Sequence, residues 1–339
     1  MGSNPLPRIL SLFMVIFMTF SPVMASKALW QLRVKKRPFV LSHGINARCN
    51  LQCKFCEYWK EEGDEMGTDE ILNLLEEARS YGIMVYNAWT TEPLMRRDLP
   101  WILRHAHDIG MTTSLITNGK FLKKRIHDLS DLDYLSISVD GIKTFKEIRG
   151  IDFDDVLDGI KEAKHEGHSI LMNCVISRKN LDELVELVHL AREMGVSISF
   201  EPIHEFSGIG DEVWDELGIR DMAAHEEVIN QIIELKRDNF PIINSLTYLR
   251  MLKTLKPAFR CHASDIVLHV TSDGRIENCR VKRLHLGDVS DGLANVWRSS
   301  EALRKKVSRE CEGCLFFGYV ENSLLYDFKP EVMAHYEWM

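Results

Sequence analysis

The sequence lacks several features that would assign it quickly to a class of protein. It has no internal repeat and no low-complexity tract, and its net charge of −8 leaves no basic excess of the kind that nucleic-acid binding requires. Eight cysteines in 339 residues are too few for a disulfide scaffold. The hydrophobic fraction of 45%, by contrast, is ample for a packed core. We therefore expect a folded protein without a nucleic-acid partner, in which the cysteines serve another purpose.

The few cysteines are not scattered, because seven of the eight fall into two groups. Cys174 stands alone in an apolar, strand-like run and is expected in the core. Grouped cysteines indicate metal ligation in a reducing compartment. The groups are Cys49, Cys53 and Cys56, and Cys261, Cys279, Cys311 and Cys314.

The first group follows an apolar run, 38–42, and has Cys-x3-Cys-x2-Cys spacing. Three thiolates leave one iron of an iron–sulfur cluster open to an outside molecule, whereas a closed cluster or a structural zinc takes four ligands. The stretch resembles the signature of the radical SAM superfamily, in which the open iron binds S-adenosylmethionine (SAM). In that family an aromatic residue precedes the third cysteine, as Phe55 does here. A zinc knuckle or a chance cluster is the alternative.

A helix that ends in glycine and is followed at once by a short apolar strand recurs along the chain. Thr68 is expected to be the N-cap of the first of these helices. With the strand before Cys49 and another at 135–139, the pattern predicts six βα units and therefore an α/β fold with a parallel sheet. By resemblance this is a partial (β/α)6, TIM-like barrel, with its active site at the carboxyl ends of the strands. The glycines that end the helices are Gly82, Gly110, Gly167 and Gly195.

Polar residues follow the predicted strands at that end. The run Asn87-Ala-Trp-Thr-Thr-Glu92-Pro93 stands where the family usually has Gly-Gly-Glu-Pro, so two threonines depart from the pattern. The resemblance implies that Glu92 receives the ammonium group of SAM, because a carboxylate and an ammonium form a charge-assisted pair. Any one of these polar residues is also compatible with an ordinary loop cap. No catalytic side chain is assigned, and the resemblance implies SAM binding by Phe55, Glu92, Thr117, Ser138, Asn173 and Arg178.

The second cysteine group lies in the C-terminal part of the chain. Strand-like runs at 266–270 and 275–278 flank Ser-Asp-Gly, which is a hairpin signal, and a helix is expected around Trp297. Cys311-Glu-Gly-Cys314 closes the group. This order resembles the twitch domain, the short form of the SPASM extension, whose four cysteines bind an auxiliary 4Fe–4S cluster. A tetrahedral zinc held by the same four thiolates is the alternative.

An apolar run of 18 residues, 9–26, follows Arg8 and precedes four basic residues within 33–37. It imitates a secretory signal peptide, and it also reaches the lower limit of a membrane span. Export conflicts with an oxygen-sensitive cluster that cytosolic carriers must reduce, and the basic flank favours the cytoplasmic side. We therefore expect a cytoplasmic protein anchored at the cytoplasmic face of the membrane. A translation start at Met24 is the alternative.

Three segments are predicted: a hydrophobic N-terminal segment (1–30), a radical SAM partial barrel (31–255) and a twitch-like cluster domain (256–339). The resemblance implies two 4Fe–4S clusters, SAM and an electron donor of the flavodoxin or ferredoxin type. It also implies an enzyme that cleaves SAM to a 5′-deoxyadenosyl radical, which abstracts hydrogen from an unactivated carbon. The apolar segment favours a membrane lipid or isoprenoid as substrate. A ribosomal peptide or a small molecule is the alternative, and a metal-stapled binding protein is the non-catalytic alternative.

Overall fold

A nine-stranded β-sheet organises the residues that the structure, a computed structural model, describes: 22–60, 63–204 and 210–333. The strand order is β6-β5-β4-β3-β2-β1-β7-β8-β9. Neighbouring strands from β1 to β6 are parallel, β7 adds to β1 in parallel, and β8 and β9 continue in antiparallel. The strands are β1 (Val40–Gly44), β2 (Val85–Trp89), β3 (Thr112–Thr117), β4 (Tyr134–Ser138), β5 (Ser169–Ile176), β6 (Ser197–Pro202), β7 (Val267–Val270), β8 (Arg275–Glu277) and β9 (His285–Asp288).

Helices connect the parallel strands and continue into the C-terminal region. The α-helices are α1 (Pro22–Leu29), α2 (Thr68–Tyr81), α3 (Leu99–Asp108), α4 (Leu122–Arg125), α5 (Phe145–Arg149), α6 (Phe153–His165), α7 (Leu184–Met194), α8 (Asp211–Leu217), α9 (Met222–Arg237), α10 (Leu246–Thr254), α11 (Ala263–Ile266), α12 (Leu293–Ser299), α13 (Glu301–Glu310) and α14 (Phe317–Tyr326). Shorter turns are a π-helical turn at Trp30–Val34 and 3₁₀ turns at Tyr58–Lys60, Pro93–Met95, Ile126–Asp128, Leu181–Glu183 and Val289–Asp291.

The predicted helix-to-strand junctions are confirmed by the backbone of their glycines. Gly82, Gly110, Gly167 and Gly195 all have positive φ, between 62° and 102°. A glycine enters this left-handed region without a side-chain clash, so the chain can leave the helix and begin the next strand.

The predicted N-cap of α2 is wrong by one residue. The cap is Gly67, whose N–H donates to the Glu70 carboxylate at 2.6 Å. Thr68 is already helical, and its hydroxyl donates to Asp98 at 2.6 Å instead. A nearby aspartate therefore takes the hydroxyl that capping would have used.

The two faces of the parallel sheet differ in chemistry, because side chains alternate along each strand. The apolar face joins a buried core with the helices and includes Leu41, Tyr86, Leu115, Leu135, Met172 and Phe200. The opposite face is polar and carries Ser42, Asn87, Ser114, Ser136, Asn173 and Ser199, several of them in register across neighbouring strands. A parallel sheet buried by apolar packing on both faces reads as continuous hydrophobic runs. The polar face is therefore the side of the sheet suited to polar ligands.

The predicted C-terminal hairpin is present as β7 and β8, which pair in antiparallel. β7 also pairs in parallel with β1, with His269 opposite Ser42. The sheet is thus continuous across residue 256. The division of the chain into domains at that residue stays a prediction.

The predicted apolar segment, 9–26, lies outside the described residues except for 22–26, which belong to α1. In the part of the chain that the structure describes, no helix combines the length and apolar character needed to cross a membrane. The π-helical turn after α1 packs against the body of the protein. The Gln31 amide donates to the Tyr81 carbonyl at 3.1 Å, and the Arg33 guanidinium lies 3.6 Å from the ring centroid of Tyr326.

Candidate active site

The first cysteine group lies in the loop between β1 and α2, at the carboxyl end of β1. The charges of Cys49 and Cys53 both affect the pKa of Cys56, so the three thiols lie near one another. Burial is the largest cause that raises the pKa of the Cys56 thiol, to about 11. A thiol with this pKa stays protonated at neutral pH until a metal displaces the proton. Without metal, the Cys56 thiol is therefore uncharged.

A buried cation lies beside this loop. The Arg149 guanidinium is 4.0 Å from Cys53 Sγ and 5.3 Å from the ring centroid of Phe55. It forms an ion pair with Asp140, whose side chain is fully buried. Its positive charge offsets the negative charge that metal-bound thiolates bring into the site. Sequence reasoning missed both residues, because no spacing rule links 140 and 149 to a cysteine loop at 53.

Glu92 is fully buried beyond the carboxyl end of β2 and accepts three hydrogen bonds. The Thr117 hydroxyl donates at 2.7 Å, the Asn118 N–H at 2.8 Å and the Leu94 N–H at 2.9 Å. Burial outweighs these bonds and raises the pKa of Glu92 to about 7. A desolvated carboxylate gains more from a cationic partner than one in water does. The side chain is therefore suited to bind an ammonium group.

The two threonines before Glu92 take the backbone conformation of glycine. Thr90 has φ of 77° and Thr91 has φ of 48°, which is strained for a β-branched residue. The Thr91 hydroxyl donates to the Asn46 carbonyl at 2.9 Å, whereas Thr90 Oγ1 has no hydrogen-bond partner among the described residues. The departure from the Gly-Gly pattern thus changes the side chains of this loop but keeps its glycine-like backbone.

The remaining predicted SAM ligands are brought together only in part. Ser138 and Asn173 lie opposite one another on β4 and β5. The Asn173 amide donates to Glu201 at 3.0 Å and accepts from Ser199 at 2.7 Å, so it is already engaged. Arg178 is exposed beyond the end of β5. Its backbone N–H donates to the Leu217 carbonyl at 2.8 Å, and no hydrogen bond among the described residues joins it to the other candidates.

Asn118 is a site residue that the sequence did not single out. Its amide donates to Asn50 Oδ1 at 2.8 Å and lies 3.8 Å from Cys49 Sγ, while its N–H donates to Glu92. It therefore joins the cysteine loop to the glutamate. The sequence feature that could have identified Asn118 as a site residue is its position directly after Thr117, at the end of a strand.

The second cysteine group is also brought together, because the charges of the other three thiols all affect the pKa of Cys314. Burial is the main cause that raises this pKa to about 12. Within the described residues, three ligand atoms within 4.8 Å of one another, as a single ion requires, occur only in a surface group: His127, Glu162 and Glu166. Four thiolates bound at about 2.3 Å from one zinc would lie inside that limit. In this structure the four thiols do not meet that limit, and the cluster and the zinc ion both stay candidates for this group.

A cleft opens beside both groups. Its walls include the ends of β1 and β2 and the loops around β7 and β8. Trp89 and Thr90 lie on one side, and Arg280, the neighbour of Cys279, reaches over so that its guanidinium is 3.5 Å from the centroid of the Trp89 ring. The cleft therefore runs from the Glu92 loop to the second cysteine group.

Comparison with known proteins identifies the family. A sequence model of the Radical SAM superfamily matches residues 45–191. A curated protein of Saccharolobus solfataricus, named "Probable GTP 3',8-cyclase", is 31% identical over 265 residues, which cover 72% of this chain and 83% of that protein. The chain belongs to the radical SAM superfamily. A relative of the same name from Sulfurisphaera tokodaii is 28% identical over 282 residues, covering 76% of this chain and 85% of the relative.

Solved structures agree with this radical SAM assignment at the level of the fold. Streptococcus suis SuiB bound to the precursor peptide SuiA has a TM-score of 0.67 and 18% identity, covering 91% of this chain and 78% of SuiB. The protein anSMEcpe, with bound AdoMet and a peptide, has a TM-score of 0.62 and 16% identity, covering 81% of this chain and 84% of that one. At these identities the likeness concerns the fold alone. Membership of the radical SAM superfamily makes the chain an enzyme and implies a 4Fe–4S cluster and SAM.

The residues present fit these groups. Three neighbouring thiols without a fourth match a cluster with an open iron. Buried polar atoms of the sheet and its edge have no hydrogen-bond partner in the described part of the chain, and they would suit a polar ligand. These atoms include Ser42 Oγ, Asn87 Oδ1 and Trp89 Nε1.

Proposed function

We propose that this radical SAM enzyme holds its catalytic 4Fe–4S cluster on Cys49, Cys53 and Cys56 and binds SAM beside Glu92. The observation that carries the proposal is the meeting of three thiols with a buried glutamate, through Asn118, at one edge of the sheet. When bound, the cluster and SAM supply one-electron cleavage of SAM to methionine and a 5′-deoxyadenosyl radical, which takes hydrogen from an unactivated carbon. The electron comes from a donor of the flavodoxin or ferredoxin type.

The chain's own residues bind, orient and protect these groups. Glu92 binds the SAM ammonium, and Thr117 and Asn118 fix the orientation of its carboxylate. Arg149 keeps a positive charge beside Cys53. Phe55, Ser138 and Asn173 are the candidates for the remaining parts of SAM, and the exposed position of Arg178 makes it the weakest of the set.

We also infer that the six parallel strands form a partial (β/α)6 barrel and that 256–339 is a twitch-type extension. The β7–β8 hairpin and the electrostatic contact among the four C-terminal thiols support this. A second 4Fe–4S cluster would then be held by Cys261, Cys279, Cys311 and Cys314. Its two candidate roles are to accept an electron from the substrate radical and to order the extension.

The substrate that we favour is a small molecule of the nucleotide type. Relatives named as GTP 3',8-cyclases support it, as do the polar sheet face and the charged cleft. A peptide substrate has the fold likeness alone in its favour. The lipid hypothesis depends on 9–26 and finds no support in the described residues, where the candidate site is polar.

Iron and sulfide analysis of anaerobically reconstituted protein tests the two-cluster proposal. We expect about eight iron atoms per chain, about four for each 4Fe–4S cluster. Replacing the three cysteines of either 49/53/56 or 261/279/311 by alanine should leave about four. An iron content of about four atoms per wild-type chain, or zinc bound at the second cysteine group, would refute the auxiliary cluster. If GTP does not accelerate the formation of 5′-deoxyadenosine, the hypothesis of a nucleotide substrate is refuted.

A further inference from the structure

The cleft carries a positive charge that its own acids do not compensate. Arg275 pairs with Asp273 at 2.8 Å, and Arg283 pairs with Glu277 at 3.5 Å. Arg280 also lines the cleft, and within 22–60, 63–204 and 210–333 no carboxylate lies within ion-pair distance of it. Among these residues, Arg280 is the cleft-lining arginine without an ion pair, and its charge also acts on the buried Glu201 carboxyl, whose pKa is raised by burial and lowered by this charge.

Three buried atoms of the cleft-lining residues have no hydrogen-bond partner in the described structure. They are Arg280 Nε, Trp89 Nε1 and Thr90 Oγ1. The two nitrogens can only donate, and the hydroxyl can donate as well. A buried donor without a partner destabilises the structure, so these atoms favour a ligand that accepts hydrogen bonds. The complement of this set is a group that offers several acceptors and no donor.

Arg280 is held in place for such a group. Its guanidinium lies 3.5 Å from the Trp89 ring centroid, and its backbone N–H donates to the Tyr319 hydroxyl at 2.8 Å. That hydroxyl also hydrogen-bonds His269 at 3.0 Å, and Tyr58 packs edge-on against Trp89 with the ring centroids 5.6 Å apart. A planar guanidinium fixed in this way loses little freedom when it binds an oxyanion.

We propose that Arg280, with Trp89 and Thr90, binds a phosphate group of the substrate in this cleft. A phosphate group offers three strong acceptor oxygens, which match the three unpaired donors, whereas a carboxylate offers two. Thr90 lies two residues before Glu92, so a phosphate bound here anchors the substrate next to SAM. Arg280 is then a specificity-determining residue. The inference rests on the proposed function and deepens it by naming the anionic group that the substrate must carry.

Equilibrium binding of GTP, guanosine and tripolyphosphate to the reconstituted full chain tests this assignment. We expect GTP and tripolyphosphate to bind and guanosine to bind much more weakly. Arg280→Gln should weaken binding of both phosphate probes by about tenfold to a hundredfold, as expected for loss of a charge-assisted contact. Arg280→Lys keeps the charge but loses the planar guanidinium. Its affinity for both phosphate probes should therefore lie between that of the wild type and that of Arg280→Gln. Arg237→Gln is the control, because that arginine lies on α9 outside the cleft and pairs with Glu234, so this variant should bind as the wild type does.

Equal tripolyphosphate affinity of the wild type and Arg280→Gln would overturn the proposal. Tighter binding of a triglutamate peptide than of tripolyphosphate would also overturn it, in favour of a carboxylate substrate. If the wild type cleaves SAM but binds neither GTP nor tripolyphosphate, the phosphate site is wrong and the proposed SAM chemistry stands. If the wild type cleaves no SAM, the proposed function itself fails. Should Arg280→Gln not fold, as judged by circular dichroism, the affinity of Arg280→Lys compared with that of the control Arg237→Gln decides the question.

Discussion

Replacing Arg149 by methionine removes the positive charge buried beside Cys53 and leaves Asp140 without its partner. The two side chains are 8% and 0% exposed, so water cannot take over the role of the guanidinium. Removing one member of a buried ion pair typically costs about 3–5 kcal/mol, because a charge stays behind in the interior. We therefore expect the free energy of unfolding of the cluster-free protein to fall by about 3–5 kcal/mol.

Adding Asp140→Asn to this variant is the matched control. Asparagine removes the unpaired charge and keeps an oxygen for the Val175 N–H, which donates to Asp140 at 2.9 Å. The double variant should therefore be more stable than the single variant. In reconstituted protein, loss of the cation should also lower the reduction potential of the cluster, because a nearby positive charge favours the more reduced state.

Urea unfolding followed by circular dichroism measures the stabilities, and an electron paramagnetic resonance titration measures the potential. A loss below about 1 kcal/mol for Arg149→Met would place the change among ordinary substitutions and refute the buried-pair reasoning. A double variant less stable than the single one would refute it independently.

Four further outcomes follow from other parts of the chain. Burial raises the pKa of Glu92 to about 7, so SAM affinity should fall about tenfold per pH unit below 7, and Glu92→Gln should lack this slope in equilibrium dialysis. Because the folded protein holds the Glu92 proton more tightly than the unfolded chain does, the raised pKa also adds to the stability of the cluster-free protein. This contribution is fully present below pH 4.5, the ordinary pKa, and should be lost as the pH rises through about 7. Thr90→Gly should raise the free energy of unfolding by about 1 kcal/mol, measured in urea, because glycine relieves the positive φ. If residues 9–26 anchor the protein, the full-length protein should sediment with membranes, whereas a chain that starts at Met24 should not. Full-length protein in the soluble fraction would refute anchoring.

Local patterns were enough to predict the parallel sheet. A glycine that ends a helix and an apolar strand that follows are encoded within a few residues, so the βα order and the strand ends could be placed. The cysteine spacing was found for the same reason, whereas Glu92 was identified through the resemblance to the radical SAM family. The pairing of β7 with β1 was not foreseen, because strands so far apart in sequence carry no local signal of their contact.

The residues that the sequence did not reveal act through long-range packing. Arg149 meets Cys53 across 96 positions, and Arg280 reaches Trp89 from the far end of the chain. The backbone conformation of Thr90 and Thr91 was not predicted, for a different reason. Their type argued against a glycine-like backbone, yet the surrounding loop imposes it, as happens where strain is held by a functional site.

Formation of 5′-deoxyadenosine tests the central claim most directly. Reconstituted protein, incubated anaerobically with SAM and dithionite, should produce it, and the variant with Cys49, Cys53 and Cys56 replaced by alanine should produce none. That variant should still retain about four iron atoms on the second group, which shows that the chain is folded. Production of 5′-deoxyadenosine by the variant at the wild-type rate would contradict the assignment of the catalytic cluster to these three cysteines.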